Sequence, residues 1–236
     1  MKRPLALKVT LIAICAALYA VLGYASYLGI FAPVIGVVRF WPPVFVPATF
    51  AVTFDPIVGG LGAAIGIFIS DMLIHGNALL SLIAGVPANF LCFFIAGLGK
   101  RRKSNVLPCI GVNLIMLVLC LMSPDVSGVP WPIAVVYSGA ILFSLTVALL
   151  LTVKAKEWSS FYVFASLGLL VGSIWIGITV WLFSQFFILP SGESRLPLTA
   201  ALAWMIWVYA TEIPFMLLIT PPVVSALRKA GLWWEE

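Results

Sequence analysis

Eight apolar runs, each near the length of a bilayer crossing and joined by short polar breaks, restrict what this chain can become. They are Leu7 to Leu28, Val34 to Phe54, Ile57 to Ile74, Ala78 to Gly99, Val106 to Met122, Ile133 to Val153, Phe161 to Leu189 and Leu198 to Leu227. At ~20 residues per crossing they fill the sequence and leave no room for an added soluble catalytic domain. With 63% apolar and 9% charged residues, no polar surface remains to cover a water-soluble globule. The expectation is an all-α integral membrane protein, a compact bundle of six to eight transmembrane helices forming one domain over residues 1–236. The third and fifth runs are short for a full span and the seventh is long, so six full helices plus two partial or tilted ones is an open alternative.

The net charge of +5 follows topology rather than a nucleic-acid surface. Lys2, Arg3, Lys8, the block Lys100 to Lys103, Lys154, Lys156, Arg228 and Lys229 fall at every second loop or at a terminus. By the positive-inside rule those segments and both termini are cytoplasmic, which requires an even number of crossings. The first run has a basic start but no convincing small-residue cleavage site, so it reads as a retained helix. The protein is therefore expected in the plasma membrane as a multi-pass protein. Cys15, Cys92, Cys109 and Cys120 lie inside apolar runs as small hydrophobes, and with a single His the sequence offers no metal site and calls for no cofactor.

The stretch from Arg39 to Asp71 is the most informative. Its two apolar runs meet at Asp55-Pro56; the first holds Pro42, Pro43 and Pro47, and the second carries Gly59, Gly62, Ala63, Gly66 and Ser70 at helical spacing. Prolines at membrane depth are tolerated where protein or a lined cavity meets the freed carbonyls. The small residues let a helix backbone be approached closely. A similar small face on the first run comprises Ala13, Ala16, Ala17, Ala20 and Gly23, with two overlapping AxxxA steps. It serves either packing inside the bundle or docking of a second protein.

Polar groups inside the runs mark candidate contacts. Asn89 follows Pro87 at mid-membrane and needs a partner, either another helix or a bound solute. Glu212, beside Thr211 and before Pro214, sits near the middle of the last run, where a carboxylate costs roughly 3 kcal/mol unless paired or facing a wet cavity. Trp204, Trp207 and Tyr209 precede it; Trp204 best fits an interfacial aromatic belt. Asp71, His75 and Asn77 cluster at the outer mouth between the third and fourth runs, with Arg39 on the same side. An Arg39 to Asp71 pair would explain both charges structurally, and the same groups around a pocket would suit a polar, partly aromatic solute.

The small-faced AICAALYAVLG, the Pro-rich second run, FDPIVGGLGAAIGIFISD, VPANFLCFFIAG and the ending EIPFMLLITPPVVSALRKAG together resemble the substrate-binding S component of energy-coupling-factor (ECF) vitamin importers. The resemblance covers the first hundred or so residues and the last thirty, and Ser104 to Pro197 does not contribute to it. It implies a compact bundle, usually of six helices, that captures a vitamin or related micronutrient from outside. Its partners would be a transmembrane coupling protein and two ATPase subunits, and the chain itself would not be an enzyme. The family's docking face carries over to Ala13 and Ala17, with Ala16 and Ala20 as the overlapping step. By position the resemblance nominates Arg39, Asp71, Asn77, Asn89, Trp207 and Glu212 for the solute. The chain departs from the pattern in being longer, with two extra runs.

Two other readings come from different classes. One is a self-sufficient secondary transporter with Glu212 as proton carrier. The other is an intramembrane enzyme with Glu212 and Asp71 or His75 as acid and base; the topology places Glu212 near the midplane and the other two near the outer face, poorly set to share a proton path.

Overall fold

The computed structural model describes residues 4–28, 34–35, 38–100, 102–154 and 156–234. Lys2, Arg3 and Arg101 of the basic pattern lie outside them. Eight helices follow the eight runs: α1 (Leu5–Leu28), α2 (Phe45–Thr53), α3 (Pro56–Ile74), α4 (Ala78–Leu98), α5 (Leu107–Ser127), α6 (Trp131–Lys154), α7 (Ser159–Phe186) and α8 (Thr199–Lys229). All but α2 are long and apolar enough to cross a membrane. The chain is an all-α, multi-pass membrane bundle.

The second run is the exception to its expected length. Its helical part begins only at Pro42, as a short 3-10 turn Pro42–Val44 leading into α2. The two prolines lack amide hydrogens and disfavour helix in the residue before them, and Trp41 is accordingly non-helical. The residues ahead of it instead form a two-residue antiparallel ladder of β1 (Val34–Ile35) and β2 (Val38–Arg39). A helical stretch from Pro42 to Thr53 rises about 18 Å, just over half a hydrocarbon core. The third and fifth runs, expected to be short, are full-length helices of 19 and 21 residues. α5 continues through Pro124 to Ser127, where a loop was expected, and ends at Gly128, whose φ of +70° suits a residue without a side chain.

Contacts at the helix ends fix the directions. Lys8, early in α1, pairs with Asp55 at the N-cap of α3 at 3.4 Å. Ser70, late in α3, donates to the Ala20 carbonyl at 3.3 Å. α1 and α3 therefore run parallel and in direct contact, and α2, which leads into α3 at Asp55, runs the opposite way beside them. At the same basic end, Lys100 after α4 and the Trp234 amide both donate to the Thr53 carbonyl, at 3.3 and 3.2 Å. Arg228 of α8 lies 3.8 Å from Glu157 ahead of α7. The Trp233 ring is covered by Lys100 at 4.4 Å and Arg228 at 4.1 Å, an exposed cation–aromatic seam that fastens the end of the chain to the bundle. The beginning of α1 and the end of α8 thus share the basic end.

The bundle closes through bare backbone contacts. Gly66 of α3 faces the Ala16 carbonyl and Tyr19 of α1, and Gly168 of α7 faces the Cys92 carbonyl of α4, so close that a Cβ would collide with main chain at either position. Without a hydrophobic drive between helices in lipid, such packing supplies much of their attraction. Gly111, on the exposed side of α5, has no atom nearby. Gly168→Ala is expected to destabilise the protein by about 1–3 kcal/mol through overpacking, whereas Gly111→Ala leaves it unchanged or slightly more stable. Thermal unfolding of the two variants in one detergent checks the contrast.

Candidate functional site

α4 starts as helix at Ala78, widens into a π-turn over Ser81–Gly85, and regains α geometry just before Pro87. Pro87 offers no amide to the Ile83 carbonyl four residues back; that carbonyl instead receives the Trp175 indole N–H of α7 at 2.9 Å. The widened turn displaces the wall of α4, and π-turns of this kind recur beside functional sites. Beside it lies a cavity of about 90 Å³, small and open at one end. Its walls come from α3, α4, α7 and α8, with β2 and Trp41 closing one side.

At the mouth, Asp71 gathers three partners. Arg39 of β2 forms a short ion pair with it, Ser81 donates to its other oxygen at 2.7 Å, and His75 Nε2 lies 3.4 Å from the oxygen Arg39 uses. Side-chain exposure is 11% for Arg39 and 6% for Asp71, so each is the other's main compensation. The Asn77 amide donates to His75 Nδ1 at 3.0 Å, so that nitrogen carries no proton and the ring's N–H is Nε2, toward Asp71. Arg39 also sits 5.4 Å from the centre of the Trp41 ring. One carboxylate thus joins the ladder, the end of α3 and the π-turn of α4.

Deeper in, Asn89 accepts from the Tyr19 hydroxyl of α1 at 2.7 Å and donates to the Gly85 carbonyl at 2.9 Å. The helix-to-helix partner expected for it is present, and it also lines the cavity. Glu212 of α8 lines the cavity as well, with neither a hydrogen bond nor an ion pair among the described residues. The remaining wall is largely apolar: Phe93 and Trp41 present rings, and Val208 and Ile176 aliphatic surface.

Of the six residues nominated for solute contact, Arg39, Asp71, Asn89 and Glu212 converge on this one cavity. Asn77 does not line it; its side chain caps α4 by accepting from the Leu80 amide at 3.0 Å. Trp207 does not either; it is buried against Tyr137 of α6 with ring centres 5.7 Å apart. Trp204, expected in an interfacial belt, is also buried, in a cluster with Val180, Phe183 and Leu80. His75, expected far from Glu212, shares the cavity with it.

Trp41 and Phe93 were missed as lining residues, although an aromatic one residue before a Pro-Pro pair was a usable signal for Trp41. A second polar cluster was missed outright: Asn113 of α5 donates to Ser166 of α7 at 3.2 Å and accepts from Tyr209 of α8 at 3.2 Å. It ties three helices together away from the cavity.

On α1 the two AxxxA steps part company. Ala16 and Ala20 are buried, whereas Ala13 and Ala17 are exposed on the outer surface of the bundle.

Asp71→Ala is expected to lower stability by about 3–5 kcal/mol, because it strands the Arg39 charge, while an Arg39→Met/Asp71→Leu double variant costs clearly less. Thermal unfolding of single and double variants in detergent makes the comparison. Set against protein-family models, curated proteins and solved structures, the chain finds no match in any of the three, so the geometry of the cavity carries the functional reading.

Proposed function

We propose that the chain is the solute-binding membrane subunit of an importer of the ECF type. It takes a vitamin or related micronutrient from outside the plasma membrane and passes it on with a coupling protein and two ATPase subunits. The observation that carries this reading is the cavity: mostly apolar and aromatic walls, a few convergent polar groups, and a mouth at the end of the bundle opposite the basic loops. Those are the general features of a small-molecule site. The exposed Ala13 and Ala17 step offers a partner helix a strip where backbones can approach closely, which fits a subunit that works through a membrane partner. Catalysis has no part in this reading.

A second reading, a proton-coupled transporter working alone, draws support from one specific observation: Glu212 faces the cavity with no partner among the described residues, as a proton carrier would. Uptake of a solute by the purified chain alone, in liposomes under a proton gradient, would favour it over the importer.

Native mass spectrometry on the gently purified chain is the direct test, and one vitamin-sized molecule retained at near-equal stoichiometry is expected. Recovery of lipid alone would count against an importer subunit. For the docking face, Ala13→Leu/Ala17→Leu is expected to abolish uptake in cells that supply the coupling module while leaving solute retention intact. Ala16→Leu/Ala20→Leu should instead unfold the protein, because those positions are buried. Normal uptake by the first pair would remove the docking assignment.

A further inference from the structure

One of the ionisable side chains around the cavity has no partner among the described residues, and that points to a kind of ligand. Four ionisable side chains of the usual charged types line it: Arg39, Asp71, His75 and Glu212. Arg39 and Asp71 neutralise each other in their ion pair. His75 accepts the Asn77 backbone amide on Nδ1 and turns Nε2 toward Asp71, 3.4 Å away, so it too is engaged at the mouth. Glu212 is left with no cation and no hydrogen-bond donor among the described residues.

Position sharpens the point. Asp71 lies one turn from the end of α3 at the mouth, while Glu212 is thirteen residues into α8, about 20 Å along that helix from its start. The unanswered carboxylate is therefore at the deep part of the site. Most of the rest of the lining is apolar, including the Phe93 and Trp41 rings, Ile176 and Val208. A carboxylate held in such a setting is costly until something pairs with it, and the described residues supply no partner.

We propose that the cavity selects a ligand carrying one positive charge on or beside a planar ring, an amidine, aminopyrimidine or ring-bound ammonium group, and that Glu212 is the residue that binds this charged end. This rests on the solute-binding role proposed above and narrows the substrate class. The pairing is charge-assisted and, for a planar amidine-like group, bidentate, with two N–H donors on the two oxygens of Glu212. The ring then occupies the apolar part of the cavity, and the Arg39 to Asp71 pair stays closed at the mouth. A ligand whose only charge is negative finds no free cation, because Arg39 is already engaged.

Three matched probes test this on the full chain in lipid nanodiscs: benzamidine, benzamide and benzoate, alike in size and differing in charge. Ligand-detected NMR titration is expected to show benzamidine bound about tenfold or more tightly than benzamide, with benzoate weakest. Glu212→Gln, which keeps the shape of the side chain, should reduce that preference to roughly threefold or less. Its thermal midpoint should equal or exceed that of the parent, since it removes an unpaired charge; this separates lost recognition from lost folding. Stronger binding of benzoate or benzamide by the parent chain, or an unchanged preference in Glu212→Gln, would overturn the proposal. If a neutral or anionic vitamin is found by mass spectrometry and binds the Glu212→Gln chain equally well, the cation assignment falls while the importer reading stands. If no probe binds and no small molecule is retained, both fall.

Discussion

The Asp71 carboxylate holds together the part of the molecule that matters most. It receives Arg39 from β2, His75 from the end of its own helix and Ser81 from the π-turn of α4. Three chain segments are pinned at one point, and for β2 this pair is its main polar tie to α3. Because the pair is nearly shielded from solvent, its attraction is stronger than that of a surface pair, and so is the penalty for losing either member. The mouth of the cavity therefore has a fixed shape, while the apolar walls behind it leave space for a solute.

How far the sequence could be read follows the physics of each signal. Run lengths gave the helices because a bilayer sets a nearly fixed length for an apolar segment, and the basic residues gave the shared end of the termini because charge marks loop sides strongly. Gly and Ala spacing located the close contacts of α3. The method failed where one residue type serves two purposes. Asn77 looked like a solute contact and is a helix cap; both uses need a short side chain with a carbonyl oxygen at the end of a run. Trp207 and Trp204 looked like pocket and belt residues and are packed within the bundle, a difference set by helix rotation that a single amphipathic-free run does not encode. Asn113 was invisible because its partners, Ser166 and Tyr209, are distant in sequence and ordinary in type.

The four residues that do converge share a trait: each is a polar group whose cost at membrane depth demanded an answer. For Arg39 and Asp71 the answer is each other, and for Asn89 it is Tyr19 and a backbone carbonyl. Glu212 is the one for which the described residues give none. Desolvation is thus a more reliable pointer to the site than aromatic content, which in a bundle this rich in rings distinguishes little.

The truncated α2 decides what closes one side of the cavity. Full-length helices surround a segment that starts its helix only at Pro42, and its other half is replaced by the thin ladder ending in Arg39. Trp41, just ahead of that helix, and Val38 and Arg39 of the ladder line the cavity, whereas Pro42 to Thr53 do not. The Pro-Pro pair that forbids a longer helix thereby hands that wall to an extended segment, whose alternating side chains bring a guanidinium and an indole to the same opening.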